Sequence, residues 1–328
     1  MSAATGQQFE LTVQTPSGGA RAVITEVAAG IRLYTVNGID LVEPFPAEVT
    51  PPMAAGIVLV PWPNRIRDGS WTQKGVTRQL ALTEPARHNA IHGLLRFGAY
   101  RPVASTAASV TLSATVFAQS GYPFQVETRV TYTLTADGLE ANHTLRNTGS
   151  DSAPVALGTH PYLKIGDVPT GDLVLHLCAE THIDVDERLN PLGESAVDGT
   201  RFDLRGGARV ADLDLDDGFG AVRVVDGRSE HRLQAPDGRS VTLWGDENMR
   251  YVQVFTPRIF PVRASENEAD ARGQAIAIEP MTAPADAFNS GAGLTWLRPD
   301  ESWTVRWGIR HEGFTGTQRV SVQSSAGA

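Results

Sequence analysis

Two titratable side chains stand in the same local setting. His160 follows the small apolar run Pro154–Gly158 and precedes Pro161, and Glu279 follows Ala275–Ile278 and precedes Pro280. A following proline biases each toward extended backbone and is expected to end the strand ladder there. A carboxylate beside a buried strand must be paired, open to a cleft, or shifted in pKa. An imidazole and a carboxylate that face each other can act as acid and base across one substrate. On a sugar such a pair moves two protons, one off an anomeric hydroxyl and one onto the ring oxygen. Taken singly, each has a plainer reading: a packed histidine for His160, a structural ion pair for Glu279. Spacing alone does not bring them together.

Other segments supply partners for hydroxyl groups, at the loops and strand ends where binding groups concentrate. Asn64 and Arg65 in "PWPNRIRDG" offer donors, and Arg65 can grip two oxygens at once. His92 can donate or accept. Asp216 or Asp217 in "LDDGFG" can accept from a diol, and Gln253 in "YVQVFTP" can do both. Trp62 is a candidate platform for a sugar face. Arg67 reads as a surface charge. His88 and His92 have the spacing of helical zinc ligands, but no glutamate follows His88 and no helix is apparent, so no metal is expected. Cys178 reads as a small buried residue without a catalytic role.

The elements that must position these groups are strands. Val110, Leu112, Ala114 and Val116 alternate with polar residues, as do Val126, Val130, Tyr132 and Leu134. Asp137-Gly138 then turns the chain into Leu139–Leu145, a hairpin signal. Lys74-Gly75 and Pro236-Asp237-Gly238 predict two more hairpins. Trp303, Val305, Trp307 and Ile309 line one strand face and read as core. Ala283–Ser290 predicts one helical turn. Ser265–Gly273 reads as a charged surface loop. We expect an all-β fold with two large antiparallel sheets face to face. One domain is expected over residues 10–314, with residues 1–9 and 315–328 unstructured.

The chain has 328 residues, 41% of them hydrophobic, enough for a large core. A formal net charge of −9 argues against nucleic acid and anionic membranes as partners and leaves small neutral molecules open. The single cysteine rules out an internal disulfide and fits a reducing compartment. No signal peptide or membrane span is read. A cytoplasmic protein, monomeric or homodimeric, is the expectation.

Asn64-Arg65-Ile66, Ile91-His92-Gly93, His160-Pro161-Tyr162, Asp216-x-x-Phe219, Gln253-Val254-Phe255-Thr256 and Glu279 occur in an order that resembles the aldose 1-epimerase (galactose mutarotase) family. The resemblance spans roughly residues 10–312. It implies a large twisted antiparallel β-sandwich, the galactose mutarotase-like supersandwich, with a monosaccharide site in an open cleft and no cofactor. It implies His160 as general acid and Glu279 as general base. Arg65, His92, Asp216 and Gln253 would hold substrate hydroxyls, with Asn64 beside them. It favours Asp216 over Asp217 by the distance to Phe219. It also implies an imidazolium at rest, with a carboxylate supporting its charge. "THPYLKIG" and "EPMTAPADAFNSG" depart from the best-known galactose enzymes. They resemble a branch acting on glucose-like sugars, including a sulfonated glucose, and Arg96 and Lys164 are candidates to meet an anionic substituent. The function expected is interconversion of the α and β anomers of an aldohexose. The alternatives are a mutarotase for a C6-sulfonated or C6-phosphorylated glucose and a non-catalytic sugar-binding protein. A glycoside-processing enzyme would want two carboxylates across the bond.

Overall fold

Alternation drives the architecture. In Val126–Leu134 every second side chain is buried, and in Gly138–Asn147 the polar positions between core residues face out. The two strands pair with Val130 opposite His143 and Leu134 opposite Leu139, so both apolar sets fall on one face. Ser302–Glu312 adds Trp307 opposite Ala141 and Val305 opposite His143 on that same face. The expected hairpins form around Lys74-Gly75, Asp137 and Pro236–Gly238. The computed structural model describes residues 3–15, 18–262 and 271–314. The expected tail, 315–328, and most of the charged loop, 263–270, lie outside the described residues.

Nine antiparallel strands make one sheet, in the order Arg101–Ser105, Ser109–Val116, Val126–Leu134, Gly138–Asn147, Ser302–Glu312, Ser240–Asp246, Arg228–Gln234, Val174–His176 and Ala208–Arg209. An eight-stranded sheet runs Pro191–Ala196, Ala179–Val185, Asp216–Val222, Tyr251–Phe255, Ile276–Met281, Gly158–Thr159 and Val58–Leu59, with Tyr162–Leu163 also on Ile276–Met281. The two are joined by one core, in which Val130, Leu145 and Ile309 of the first sheet belong with Val252, Val254, Ile276 and Ile278 of the second. The all-β sandwich is the observed fold. A four-stranded sheet begins at Gln8, and Thr5 and Phe9 are buried. The chain is therefore packed well inside the stretch 1–9 that sequence reading left unstructured, because Phe9 supplies a core side chain. Ala287–Ser290 is the one α-helix among the described residues. No helix there is long and apolar enough to cross a membrane.

One expectation needs correcting. Glu279 does not end its strand: Ile276–Met281 runs through Pro280 and is buried throughout. Proline is tolerated because the neighbouring strand is broken. Ile278 donates its N–H to Pro161 O at 3.2 Å, so the nitrogen of residue 280 faces that same side. There the chain passes from Gly158–Thr159 to Tyr162–Leu163 through His160-Pro161, and no ladder acceptor is lost.

Two buried histidines tie stability to pH. His143 Nε2 accepts from Trp307 Nε1 at 2.9 Å, and His231 Nδ1 accepts from the Cys178 amide at 3.2 Å. Both rings must be neutral to accept. Burial pulls His143 down to about 3 and His231 to about 4. The unfolded chain gains these protons first, near pH 6.5, so stability is full above that pH and is lost as pH falls toward the folded values. We expect each histidine to cost on the order of 3 kcal/mol by pH 4. Thermal melts between pH 7 and 4 should show a progressive fall in Tm, weakened in His231→Gln.

Candidate active site

Strand register assembles the site. Glu279 lies opposite Gln253, and Gln253 lies opposite Gly218 on the next strand. Gly218 carries no side chain, and a Cβ there would stand 3.2 Å from Gln253 Oε1. The glutamine can therefore reach along the sheet, where its Nε2 donates to Asp216 Oδ1 at 2.9 Å. His160 sits in the break between two strand fragments, its N–H donated to Ile57 O and its C=O accepting from Gly56 N. On a small separate ladder Arg65 pairs with Ile91. His92 donates its amide to Asn64 O at 2.9 Å. Asn64 and His92 both have positive φ, 52° and 62°. Gly93 must follow, since a Cβ there would lie 2.1 Å from Val60 O.

These elements bring His160 Nε2 within 3.4 Å of Glu279 Oε1. The His92 ring meets the His160 ring edge-on at 5.4 Å, and the Tyr162 ring stacks on its other side at 5.2 Å. Tyr162 Oη is anchored by donating to Met53 O at 3.2 Å. Arg65 is gripped by Glu84 through two bonds, Nε to Oε2 at 2.9 Å and Nη2 to Oε1 at 3.0 Å. Arg65 Nη2 also reaches Asp216 Oδ2 at 3.4 Å, and the Asn64 carboxamide oxygen accepts the Arg65 amide at 2.8 Å. The acid–base candidates are nearly buried, with side chains only 5% and 3% exposed, while the Asp216 side chain beside them is 30% exposed. Glu279 Oε2 and His160 Nδ1 are buried without a hydrogen-bond partner among the described residues. Every expected site residue is thus placed in one connected cluster.

Burial sets the charge state. It pushes Glu279 well above the usual carboxylate range, helped by the charge of Asp216 and opposed by Arg65. It pulls His160 down to about 4 and His92 well below 6.5. This corrects the expectation of a resting imidazolium. In a site this dry the pair favours neutral imidazole and neutral carboxyl, because each charge loses its hydration. The two descriptions hold the same number of protons and differ only in which atom carries the shared one.

Several neighbours have other work. Asp217 holds His182 Nε2 at 2.8 Å, which leaves Asp216 as the aspartate of the cluster. Trp62 is no sugar platform: it is buried and packs edge-on against Phe288 at 5.3 Å. Arg67 pairs with Asp186 and Asp286. His88 pairs with Asp68 on the surface, and Asn89–Ile91 is a strand, so the helical zinc spacing with His92 does not arise. Lys164 is taken up by Glu43 at 3.1 Å. Arg96 lies over the Phe97 ring, close enough that its charge lowers the proton affinity of His92. Cys178 is half-buried rather than buried.

Sequence reading missed Glu84 and gave Tyr162 no separate part. Glu84 is nineteen residues from Arg65, and no local spacing marks the pair. Glu84→Gln removes the charge that holds the guanidinium in place. We expect KM to rise about tenfold with a smaller change in kcat, read by steady-state anomerisation kinetics.

A family model described as Aldose 1-epimerase matches residues 10–310. The protein belongs to the aldose 1-epimerase family. The YihR protein of Escherichia coli K12 is 33% identical over 288 residues, covering 87% of this chain and 88% of its own. Human galactose mutarotase is 33% identical over 152 residues, 43% of this chain and 42% of its own. A GalM/aldose epimerase homologue from C. elegans superposes with a TM-score of 0.80 at 18% identity, over 95% of this chain and 100% of that one. A protein of Escherichia coli K12 described as a putative aldose 1-epimerase gives 0.76 at 19%, over 93% and 99%. The fold is that of the galactose mutarotase-like proteins, and family membership supports an isomerase of mutarotase type.

Proposed function

We propose that this protein interconverts the α and β anomers of an aldohexose, with His160 as acid and Glu279 as base. The observation that carries the reading is the 3.4 Å approach of His160 Nε2 to Glu279 Oε1 beside Arg65, Asp216 and Gln253. The two oxygens of a hemiacetal that must lose and gain a proton are attached to the same carbon. An acid and a base that serve them must therefore be neighbours. Two carboxylates spanning a glycosidic bond would stand about 5–9 Å apart, with a water or a nucleophile's path between them. Here the second carboxylate, Asp216, is committed to Arg65 and Gln253.

The proton count fits the reaction. To meet a closed pyranose the shared proton first moves from Glu279 to His160 across their 3.4 Å approach, which leaves Glu279 carboxylate and His160 imidazolium. Glu279 takes the O1 proton, His160 gives one to the ring oxygen, and the C1–ring-oxygen bond breaks. The pair is then neutral beside the open aldehyde. Rotation about C1–C2 and reversal of both transfers gives the other anomer. The burial that favours the neutral pair thus favours the open-chain stage, where a wet surface would favour the ions. Arg65, Asp216, Gln253, Asn64 and His92 hold the hydroxyls. Neutral His92 donates or accepts without adding a second positive charge beside His160.

The pair must hold one shared proton, so kcat/KM is expected to be bell-shaped in pH. The acid limb, where a second proton is added, should fall near pH 4, the position to which burial pulls His160. The alkaline limb, where the shared proton leaves, should be displaced upward from the usual carboxylate range, because burial raises Glu279. An alkaline midpoint inside the usual carboxylate range would contradict the shared-proton picture.

The sugar is tested by a panel. Fresh α-glucose, α-galactose and their C6-phosphate and C6-sulfonate analogues should be followed by polarimetry. Catalysed exchange supports the reading, and binding without exchange would point to a sugar-binding protein instead. Preference for a C6 anion would implicate Arg96 rather than Lys164, whose charge Glu43 already neutralises.

A further inference from the structure

The outer face of the nine-stranded sheet carries a cleft of about 890 Å³ that contains none of the residues discussed above as catalytic or sugar-binding. Its floor follows from strand register. His176 lies opposite Arg232, Arg232 opposite Thr242, and Thr242 opposite Arg310, so these side chains form one row across four strands. They face away from the core, since His231 and Leu233 on either side of Arg232 are buried. In the next row Glu230 lies opposite Trp244, and Trp244 opposite Gly308. Gly308 lets the indole lie down across the sheet, where a Cβ would come within 2.6 Å of Trp244 Nε1. Two guanidiniums stack on that indole, Arg228 at 4.4 Å and Arg310 at 5.7 Å from the ring centroid. Stacking fixes the guanidinium planes and leaves their donor edges free.

The charge in this cleft runs against that of the chain. Five arginines and three carboxylates line it, in a protein of net charge −9. Arg205 is occupied by Glu180, Asp198 and Asp203. Arg310 meets Glu230 only at 3.7 Å. Arg223, Arg228 and Arg232 make no salt bridge among the described residues. The Nε of Arg232 is buried and has no hydrogen-bond partner among them. A buried, charged donor without an acceptor is rare in a native protein and calls for one.

We propose that this cleft binds a small molecule carrying a chain of phosphoryl groups. Guanidinium forks match phosphate oxygens in pairs. Arg228 and Arg310 lie over Trp244 while Arg232 stands in the row of His176 and Thr242, so the guanidiniums are spread along the cleft and a chain of phosphoryl groups pairs more of them than one oxyanion does. A nucleic-acid backbone is a poor occupant, because Glu180, Asp226 and Glu230 line the same cleft and the chain is acidic overall.

The test is isothermal titration of the full chain with inorganic triphosphate at low salt. We expect a Kd below about 1 mM, weakened roughly tenfold or more in Arg228→Gln/Arg232→Gln and tightened in Glu230→Gln. Anomer exchange should be unchanged in these variants. Arg223→Gln, at an exposed position, gives the same readout should the double variant fail to fold. Failure of triphosphate to bind the wild type below that limit overturns the proposal, and so does undiminished binding in a folded arginine variant. Neither result bears on the sugar site.

Discussion

Glu279→Gln is expected to lower kcat/KM for anomer exchange by ~10²–10⁴-fold, with KM little changed. The amide keeps the size and one acceptor of the carboxyl, so sugar binding survives. It cannot take the O1 proton. The folded state should not suffer, because burial already holds this carboxyl well above its usual range and removing an ionisable group there relieves a cost. A Tm equal to or above that of the wild type, together with the rate loss read by polarimetry, separates loss of chemistry from loss of fold. Wild-type activity in this variant would remove the base.

His160→Asn should cost a similar factor. Asparagine leaves a donor near the ring oxygen but no proton that can be given up. The Tyr162 stack and the edge contact with His92 are partly lost, so a small rise in KM is expected as well. The double variant discriminates further. Both residues serve one transition state, so Glu279→Gln/His160→Asn should cost about as much as the worse single change and not the product of the two. Multiplicative losses would mean that the two groups contribute independently and not as a coupled pair.

The fold was legible because its strands alternate and its hairpins are marked by Gly and Asp. Periodicity marked the strands that carry Val130, His143 and Val305, and Asp137-Gly138 marked the hairpin between the first two, but only the fold sets Val305 opposite His143. The site was legible as an ordered set of short motifs, and register explains why. Glu279, Gln253 and Gly218 are far apart in sequence but sit on three neighbouring strands. Asp216 and Asp217 could be told apart from sequence only by resemblance; in the fold they point to opposite faces, one to Gln253 and one to His182. What sequence did not carry is environment. Glu84 grips Arg65 through a loop, Trp62 turns inward onto Phe288, and Pro280 lies inside a strand because its neighbour is broken at His160-Pro161. The charge state of the His160–Glu279 pair depends on burial, which no motif encodes.

The most direct measurement is two-dimensional exchange NMR between the α and β C1 protons of glucose and galactose at anomeric equilibrium, near pH 7. The two-proton account predicts cross-peaks for at least one of these sugars or their C6-substituted analogues, growing with enzyme concentration and lost in Glu279→Gln. No enzyme-dependent exchange for any sugar in the panel, or cross-peaks undiminished in that variant, would contradict it.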